Sequence, residues 1–259
     1  MAILAINGRI NSGKDTVGKI IQFFFNTKGN WDKEHWDSFT KLPIEGVGFN
    51  WQDYWEIKKF ATKVKEVATL LTGIPTEKFE DQEFKKTFLD AHWNKEIFEN
   101  KTSLDKNNNA YNKSIVKPMT VREMLQIIGT EAMRNNLHPD VWVNALMYDY
   151  KPFLNYHNLK EAVGEMVWGE ETGQVANIQY PNWIITDLRF PNEMQAVKAN
   201  GGITIKVIRP NDKDIPLDLH PSETALDDAE FDYEIVNDGT IEDLRDKVEG
   251  IILHINLNK

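Results

Sequence analysis

The chain has 259 residues, 41% of them apolar and 27% charged, with 40 acidic against 30 basic side chains and a formal charge of −10. That length holds one large domain or two small ones, and eight tryptophans with thirteen phenylalanines argue against disorder. With no cysteine, disulfides, thiolate nucleophiles and cysteine-based metal centres are excluded.

The acidity opposes stable binding to nucleic acid, which relies on many lysine and arginine contacts to phosphates, but it leaves single nucleotides open as ligands. Nothing approaches eighteen consecutive apolar residues, and the opening apolar run is too short for a secretory signal, so a cytoplasmic protein without a membrane span is expected.

In chain order, residues 3–6 read as a short apolar strand, and Val17, Ile20, Ile21 and Phe24 then repeat on one helix face. Residues 27–54, rich in tryptophan and glycine, break the pattern and read as an insertion. A second strand is expected at 55–60, followed by a helix carrying Val64, Val67, Ala68 and Leu71 that Gly73 stops. The polar stretch 93–118 reads as another insertion. Val121, Met124, Leu125 and Ile128 form a helical stripe before Gly129. Residues 153–182, with Gly164, Gly169 and Gly173, suit a lid. Strands at 183–186, 203–208 and 233–236 alternate with a short helix through Met194 and Val197 and a terminal one through Leu244, Val248 and Ile252. Strands separated by helices imply right-handed crossovers and a mostly parallel, five-stranded α/β sheet, in a single domain spanning 1–259.

The sharpest signal follows the first strand: Gly8-Arg9-Ile10-Asn11-Ser12-Gly13-Lys14-Asp15-Thr16. The spacing G-x-x-x-x-G-K between a strand and a helix is that of a phosphate-binding loop. Glycine at both ends lets successive N–H groups turn inward, the helix start adds partial positive charge, and Lys14 adds a full one. Asp15 stands where serine or threonine usually contacts Mg²⁺. Either Asp15 holds the metal, or Thr16 takes a phosphate while Asp15 serves the helix N-terminus.

Other polar signals fall at strand ends, where open α/β sheets bind ligands. The strand at 183–186 runs into Asp187-Leu188-Arg189-Phe190-Pro191-Asn192-Glu193, with Asp187 placed to orient Mg²⁺ and Arg189 to reach a phosphate. The last strand ends in Asn237-Asp238-Gly239-Thr240, read equally as a helix cap or as a base-contacting loop. The helix after the second strand carries Lys65. Arg122, Gln126, Thr130, Glu131 and Arg134 mix phosphate-binding and base-reading side chains; one straight helix could not set the two arginines side by side, a break at Gly129 could, and surface salt-bridging on a helical pair is the other reading. His220-Pro221-Ser222-Glu223 lacks the surroundings of a hydrolytic serine.

Taken together, these blocks resemble the bacteriophage deoxynucleoside monophosphate kinases of the P-loop nucleoside-monophosphate-kinase superfamily. The likeness rests on Gly13-Lys14-Asp15-Thr16, Phe60-Ala61 with Lys65, and Arg122…Leu125-Gln126…Gly129-Thr130-Glu131…Arg134. It continues through 187–193, 220–223 and 237–240. In this family Asp after the loop lysine is ordinary.

The resemblance implies an adenylate-kinase-like fold with a lid, and Mg²⁺-dependent transfer of the ATP γ-phosphoryl group to a deoxynucleoside monophosphate. It further implies that Gly8, Arg9, Asn11, Ser12, Gly13, Lys14, Asp15 and Thr16 hold the ATP phosphates, with Asn237 and Gly239 near adenine. Lys65, Arg122, Gln126, Thr130, Glu131 and Arg134 would hold the acceptor. Asp187 and Asp15 would hold the metal, and Lys14, Arg189 and Arg134 would meet the transferring charge. It leaves open a homodimer. Kinases of other small phosphate esters, and a P-loop ATPase or switch protein, are the alternatives.

Overall fold

A computed structural model describes residues 2–27, 36, 54–104, 110–157, 175–210 and 224–257. Nine strands and six helices are named from it: β1 (Ile3–Gly8), α1 (Lys14–Asn26), β2 (Trp55–Lys58), α2 (Phe60–Thr72), β3 (Lys95–Leu104) and β4 (Ala110–Lys117). Then follow α3 (Val121–Gln126), α4 (Val141–Met147), β5 (Phe153–His157), β6 (Val175–Gln179), β7 (Asn182–Ile185), α5 (Pro191–Ala199), β8 (Ile203–Ile208), β9 (Tyr233–Val236) and α6 (Ile241–Leu257). The chain divides into two compact units, one of residues 1–60 with 143–259 and one of residues 61–142.

The first unit is built on a five-stranded sheet in the order β2-β7-β1-β8-β9 with every pairing parallel. This is the expected α/β sheet, with β1 at its centre. Side chains alternate across a strand, and both faces of β1 are apolar. Leu4 and Ile6 join Ile184, Ile205 and Val207 on one face, under Val17, Ile20 and Ile21 of α1 and Leu244, Val248 and Ile252 of α6. Ile3 and Ala5 join Trp183 and Ile185 on the other, under Val143 and Leu146 of α4 and Met194 and Val197 of α5. Burial on both faces is what a central strand of a parallel sheet requires, and it explains why β1 and β7 lack polar alternation through Ile3–Ile6 and Trp183–Ile185.

Two strand ends differ from the sequence reading. β2 stops at Lys58, and Phe60 instead opens α2, because its N–H is taken by the Asp187 carboxylate at 2.9 Å. β1 runs on to Gly8, paired with β8 through Gly8 and Val207. Gly73 ends α2 as expected, with a positive φ of 72°. Within 153–182, β5 and β6 form an antiparallel ribbon from Phe153↔Gln179 to His157↔Val175. Gly164, Gly169 and Gly173 lie outside the described residues, as do 220–223 and nearly all of 27–54.

The second unit packs around Ala68, Phe79, Met119, Val121, Met124, Ile128 and Trp142. The polar stretch 93–118 is largely an antiparallel hairpin, β3 with β4, whose register shifts between Phe98 and Thr102. Among the described residues no helix is long and apolar enough to cross a membrane.

Candidate active site

The loop between β1 and α1 takes the form that anion binding needs. Asn11 has φ 64° and Gly13 φ 95°, two left-handed residues flanking Ser12. Such turns direct consecutive N–H groups into one concavity, and asparagine and glycine are the residues that take the left-handed conformation readily. At Gly8 a Cβ would stand 2.4 Å from Ser12 Oγ and 2.9 Å from the Val207 carbonyl, so the loop closes against β8 only without a side chain. The Ser12 hydroxyl is buried and has no hydrogen-bond partner. An orphaned hydroxyl inside an inward-turned loop fits a polyphosphate, which supplies acceptor oxygens.

The loop is held from three sides. Asn237 Nδ2, just after β9, donates to the Ser12 carbonyl at 2.8 Å. Arg209, just after β8, donates to the Asn11 carbonyl at 3.2 Å. Arg9 pairs with Asp227 at 2.8 Å. Lys14 Nζ folds across the loop to the Arg9 carbonyl at 3.1 Å. A cleft of about 360 Å³ opens on the β8 side, lined by Gly8, Arg9, Ser12, Lys206 and Arg209 among others.

Thus Asn237 touches the loop itself. The turn after it is a helix cap. Thr240 Oγ1 accepts the Asp243 N–H at 3.2 Å, and the Asp243 carboxylate accepts the Thr240 N–H at 2.8 Å, a reciprocal pair at the start of α6.

Asp15, the residue after the loop lysine, lies at the first turn of α1. Its Oδ1 accepts from Lys59 Nζ at 2.7 Å and from Thr186 Oγ1 at 3.1 Å. Burial alone would push its pKa up. The Lys59 hydrogen bond and charge, the Lys14 charge and the Thr186 hydroxyl outweigh this and hold the carboxyl below the ordinary aspartate range.

Asp187, 7% exposed, sits one turn of chain beyond β7, and one of its oxygens caps α2 at Phe60. The following segment is tied down tightly. Leu188 N donates to the Ile6 carbonyl at 3.1 Å, and Asn7 Nδ2 donates to the Leu188 carbonyl at 2.8 Å. The buried Glu193 carboxylate accepts the N–H groups of Arg189 and Phe190 at 2.8 and 3.1 Å. Asp187 and Arg189 are therefore carried on fixed backbone at the rim where β1 delivers the glycine loop.

Among the described residues no three His, Asp or Glu side chains form a ready-made metal cage. A phosphate-bound Mg²⁺ does not need one, since one or two carboxylates with phosphate oxygens and water complete its shell. Asp15 and Asp187 are the carboxylates that fit this chemistry.

The predicted acceptor side chains belong to the second unit. Lys65, 7% exposed, is paired with Glu80. Arg122 is exposed, and its guanidinium donates to Gln82 Oε1 at 3.3 Å. Thr120 caps α3 by accepting the Glu123 N–H at 3.1 Å.

No break occurs at Gly129. Instead α3 passes without interruption into a π-helical stretch, Ile127–Asn135, hydrogen-bonded i to i+5. The buried Trp142 donates its indole N–H to the Gly129 carbonyl at 2.7 Å, in the middle of that stretch. In an α-helix residues four apart drift by about 40° per step. The wider π turn advances roughly 82° per residue, which reverses that drift and keeps Arg122, Gln126, Thr130 and Arg134 within an arc of roughly 65°. The two arginines share a face about three turns apart, not side by side, and Glu131 lies beside the stripe.

Arg209 was legible as a polar residue ending the 203–208 strand, whereas Lys59, Asp227 and Glu193 carry contacts at this rim that motif reading passed over. For Glu193 the signal was present, as an acid three residues into a helix opened by Pro191. For Lys59 and Asp227 the contacts run between segments far apart in sequence.

A family profile described as deoxynucleotide monophosphate kinase matches residues 28–248. The matched stretch begins after the glycine loop, so the loop and the family match are separate observations. The deoxynucleotide monophosphate kinase of Enterobacteria phage T4 is 29% identical over 133 residues, 51% of this chain and 45% of the phage protein. That of Escherichia phage RB69 is 26% identical over 133 residues, with the same shares of each chain. The chain thus spans about half the length of the curated relatives it matches.

Proposed function

We propose, from the premise that the chain belongs to the deoxynucleotide monophosphate kinase family, that it transfers the γ-phosphoryl group of ATP to a deoxynucleoside 5′-monophosphate. The observation that carries this is the loop Gly8–Thr16: left-handed at Asn11 and Gly13, buried and unsatisfied at Ser12, and delivered to the same sheet rim as Asp187 and Arg189.

In the reaction an acceptor phosphate oxygen attacks the γ-phosphorus, the bond to the β–γ bridging oxygen breaks, and the leaving electrons stay on ADP. Little covalent chemistry falls to the protein, so catalysis consists of alignment and charge neutralisation. The loop N–H groups, with Arg9, Asn11, Ser12 and Thr16 around them, cradle the β- and γ-phosphates. Lys14 leaves the Arg9 carbonyl for the phosphate oxygens. Arg189 meets the charge that builds on the transferring group, and Arg134 helps it. Asn237 braces the loop, and with Gly239 it borders the nucleoside side of the donor. Bound through Asp15 and Asp187, Mg²⁺ would supply charge neutralisation on the β- and γ-oxygens.

On the second unit the stripe Arg122, Gln126, Thr130 and Arg134 suits a mononucleotide: the arginines and Lys65 meet its phosphate, Gln126 its base, with Thr130 and Glu131 alongside. The ribbon of β5 and β6 roots the proposed lid, which excludes water so that ATP is not spent on hydrolysis.

A panel of deoxynucleoside and ribonucleoside monophosphates and non-nucleotide phosphate esters, each with Mg-ATP, tests this reading. Base-dependent formation of the nucleoside diphosphate is expected. Transfer to non-nucleotide esters at equal rates, or ATP hydrolysis indifferent to every acceptor, would exclude it.

A further inference from the structure

We infer that Lys59 is a positioning residue of the triphosphate site, there to offset the charge of Asp15 and to orient its carboxylate beside the docking phosphates. The inference rests on the phosphate-loop reading above and adds a residue outside every motif.

The need follows from simple electrostatics. Asp15 puts a carboxylate beside Lys14, at the helix start where phosphates would dock. One uncompensated negative charge roughly 7 Å from a phosphate, at an effective dielectric of 20–40, weakens binding by about ten- to fifty-fold. Arg9 cannot offset it, being paired with Asp227. Lys59 can: its ammonium lies 2.7 Å from Asp15 Oδ1.

The backbone around Lys59 is fixed for this. On one side the Lys58 carbonyl accepts the Thr186 N–H at 3.3 Å, and on the other the Phe60 N–H is held by Asp187 at 2.9 Å. Lys59 is thus clamped between two bonds to the end of β7. Thr186, which is buried, adds its hydroxyl to the same Asp15 oxygen. Both donors fall on Oδ1, an arrangement that orients the carboxylate as well as neutralising it. With Asp15 offset by Lys59, the charges of Lys14 and Arg209 at the loop are left for the phosphates.

The test is equilibrium binding of ATP, with and without Mg²⁺, measured by calorimetry for the whole chain and for K59M, K59R, D15N and the double variant D15N/K59M. K59M is expected to weaken ATP binding about ten-fold or more, and K59R to stay within about threefold of the unmodified protein. D15N/K59M is expected to recover to within about threefold of D15N, since the charge needing compensation is gone. Unchanged binding in K59M overturns the inference. So does a double variant as weak as K59M, which would mean that Lys59 acts on the phosphates and not through Asp15. If K59M fails to fold, K59Q, which also removes the charge, is measured in its place, with the same weakening expected and unchanged binding overturning the inference. Lys14→Ala is measured alongside. Normal binding there would bring down the loop reading itself, whereas weak binding there with normal K59M removes only the role of Lys59.

Discussion

Gly18 sits on the buried face of α1, where the helix comes down onto the end of β7. A Cβ at this position would stand 2.4 Å from Thr186 Cγ2, with Ile184 and Ile6 both at 3.6 Å. Gly18→Ala therefore sets two effects against each other. Helix propensity favours alanine by about 1 kcal/mol. Overpacking against a rigid β-branched neighbour costs about 1–3 kcal/mol, and Thr186 is 1% exposed with no room to retreat. So close a contact calls for the upper part of that range, about 2–3 kcal/mol. Overpacking should therefore win, for a net loss of about 1–2 kcal/mol, or roughly 2–8 °C in melting temperature at about 2–4 °C per kcal/mol. Thr186→Ser removes the offending methyl. In the pair G18A/T186S the new methyl fills the vacated space, and stability should return to within about 0.5 kcal/mol of the unmodified protein, a coupling of at least about 1 kcal/mol. Urea unfolding followed by circular dichroism measures all four proteins. A Gly18→Ala protein as stable as the original, or a double variant no better than the single one, would show that α1 does not approach β7 as described.

Glu193→Ala strips the acceptor from two N–H groups and should lower stability by about 1.5–3 kcal/mol, read from denaturant unfolding. Trp142→Phe keeps the buried ring but leaves the Gly129 carbonyl without its indole donor; a loss of about 1–2 kcal/mol is expected, with a rise in acceptor KM that exceeds any change in donor KM. Asp15 has a folded pKa below its unfolded value, so its contribution to stability is complete above the ordinary aspartate pKa and fades as pH falls through the lowered one. Lys59→Met should shift the Asp15 carboxyl titration upward in carbon-13 NMR, and an unmoved midpoint would refute the pairing.

What could be read from sequence was the part governed by local pattern. Ile3–Ile6 is apolar on both faces, as a buried parallel strand is, Ile203, Ile205 and Val207 give the 203–208 strand an apolar face, and the glycine loop between β1 and α1 is spelled out in consecutive residues. The illegible parts depend on distant partners. Phe60 closes a stretch carrying Trp55 and Ile57 and reads as strand, yet a carboxylate 127 residues away claims its N–H for a helix. The hairpin 95–117 pairs polar segments that carry little hydrophobic alternation. No propensity announces the π-helical turn at 127–135, where Trp142 reaches Gly129 from thirteen residues on. The Lys59–Asp15 pair was hidden for the same reason, since nothing marks Lys59 as the partner of Asp15 until β2 and α1 are brought to one rim.

Phosphorus-31 NMR of the protein with Mg-ATP and a deoxynucleoside monophosphate follows the γ-phosphoryl group directly. In the unmodified chain it should leave ATP and reappear as the β-phosphoryl of a deoxynucleoside diphosphate. A folded Lys14→Ala variant should leave both nucleotides unchanged. Transfer that persists without Lys14, or a γ-signal released only as inorganic phosphate, would contradict a donor site at the Gly8–Thr16 loop.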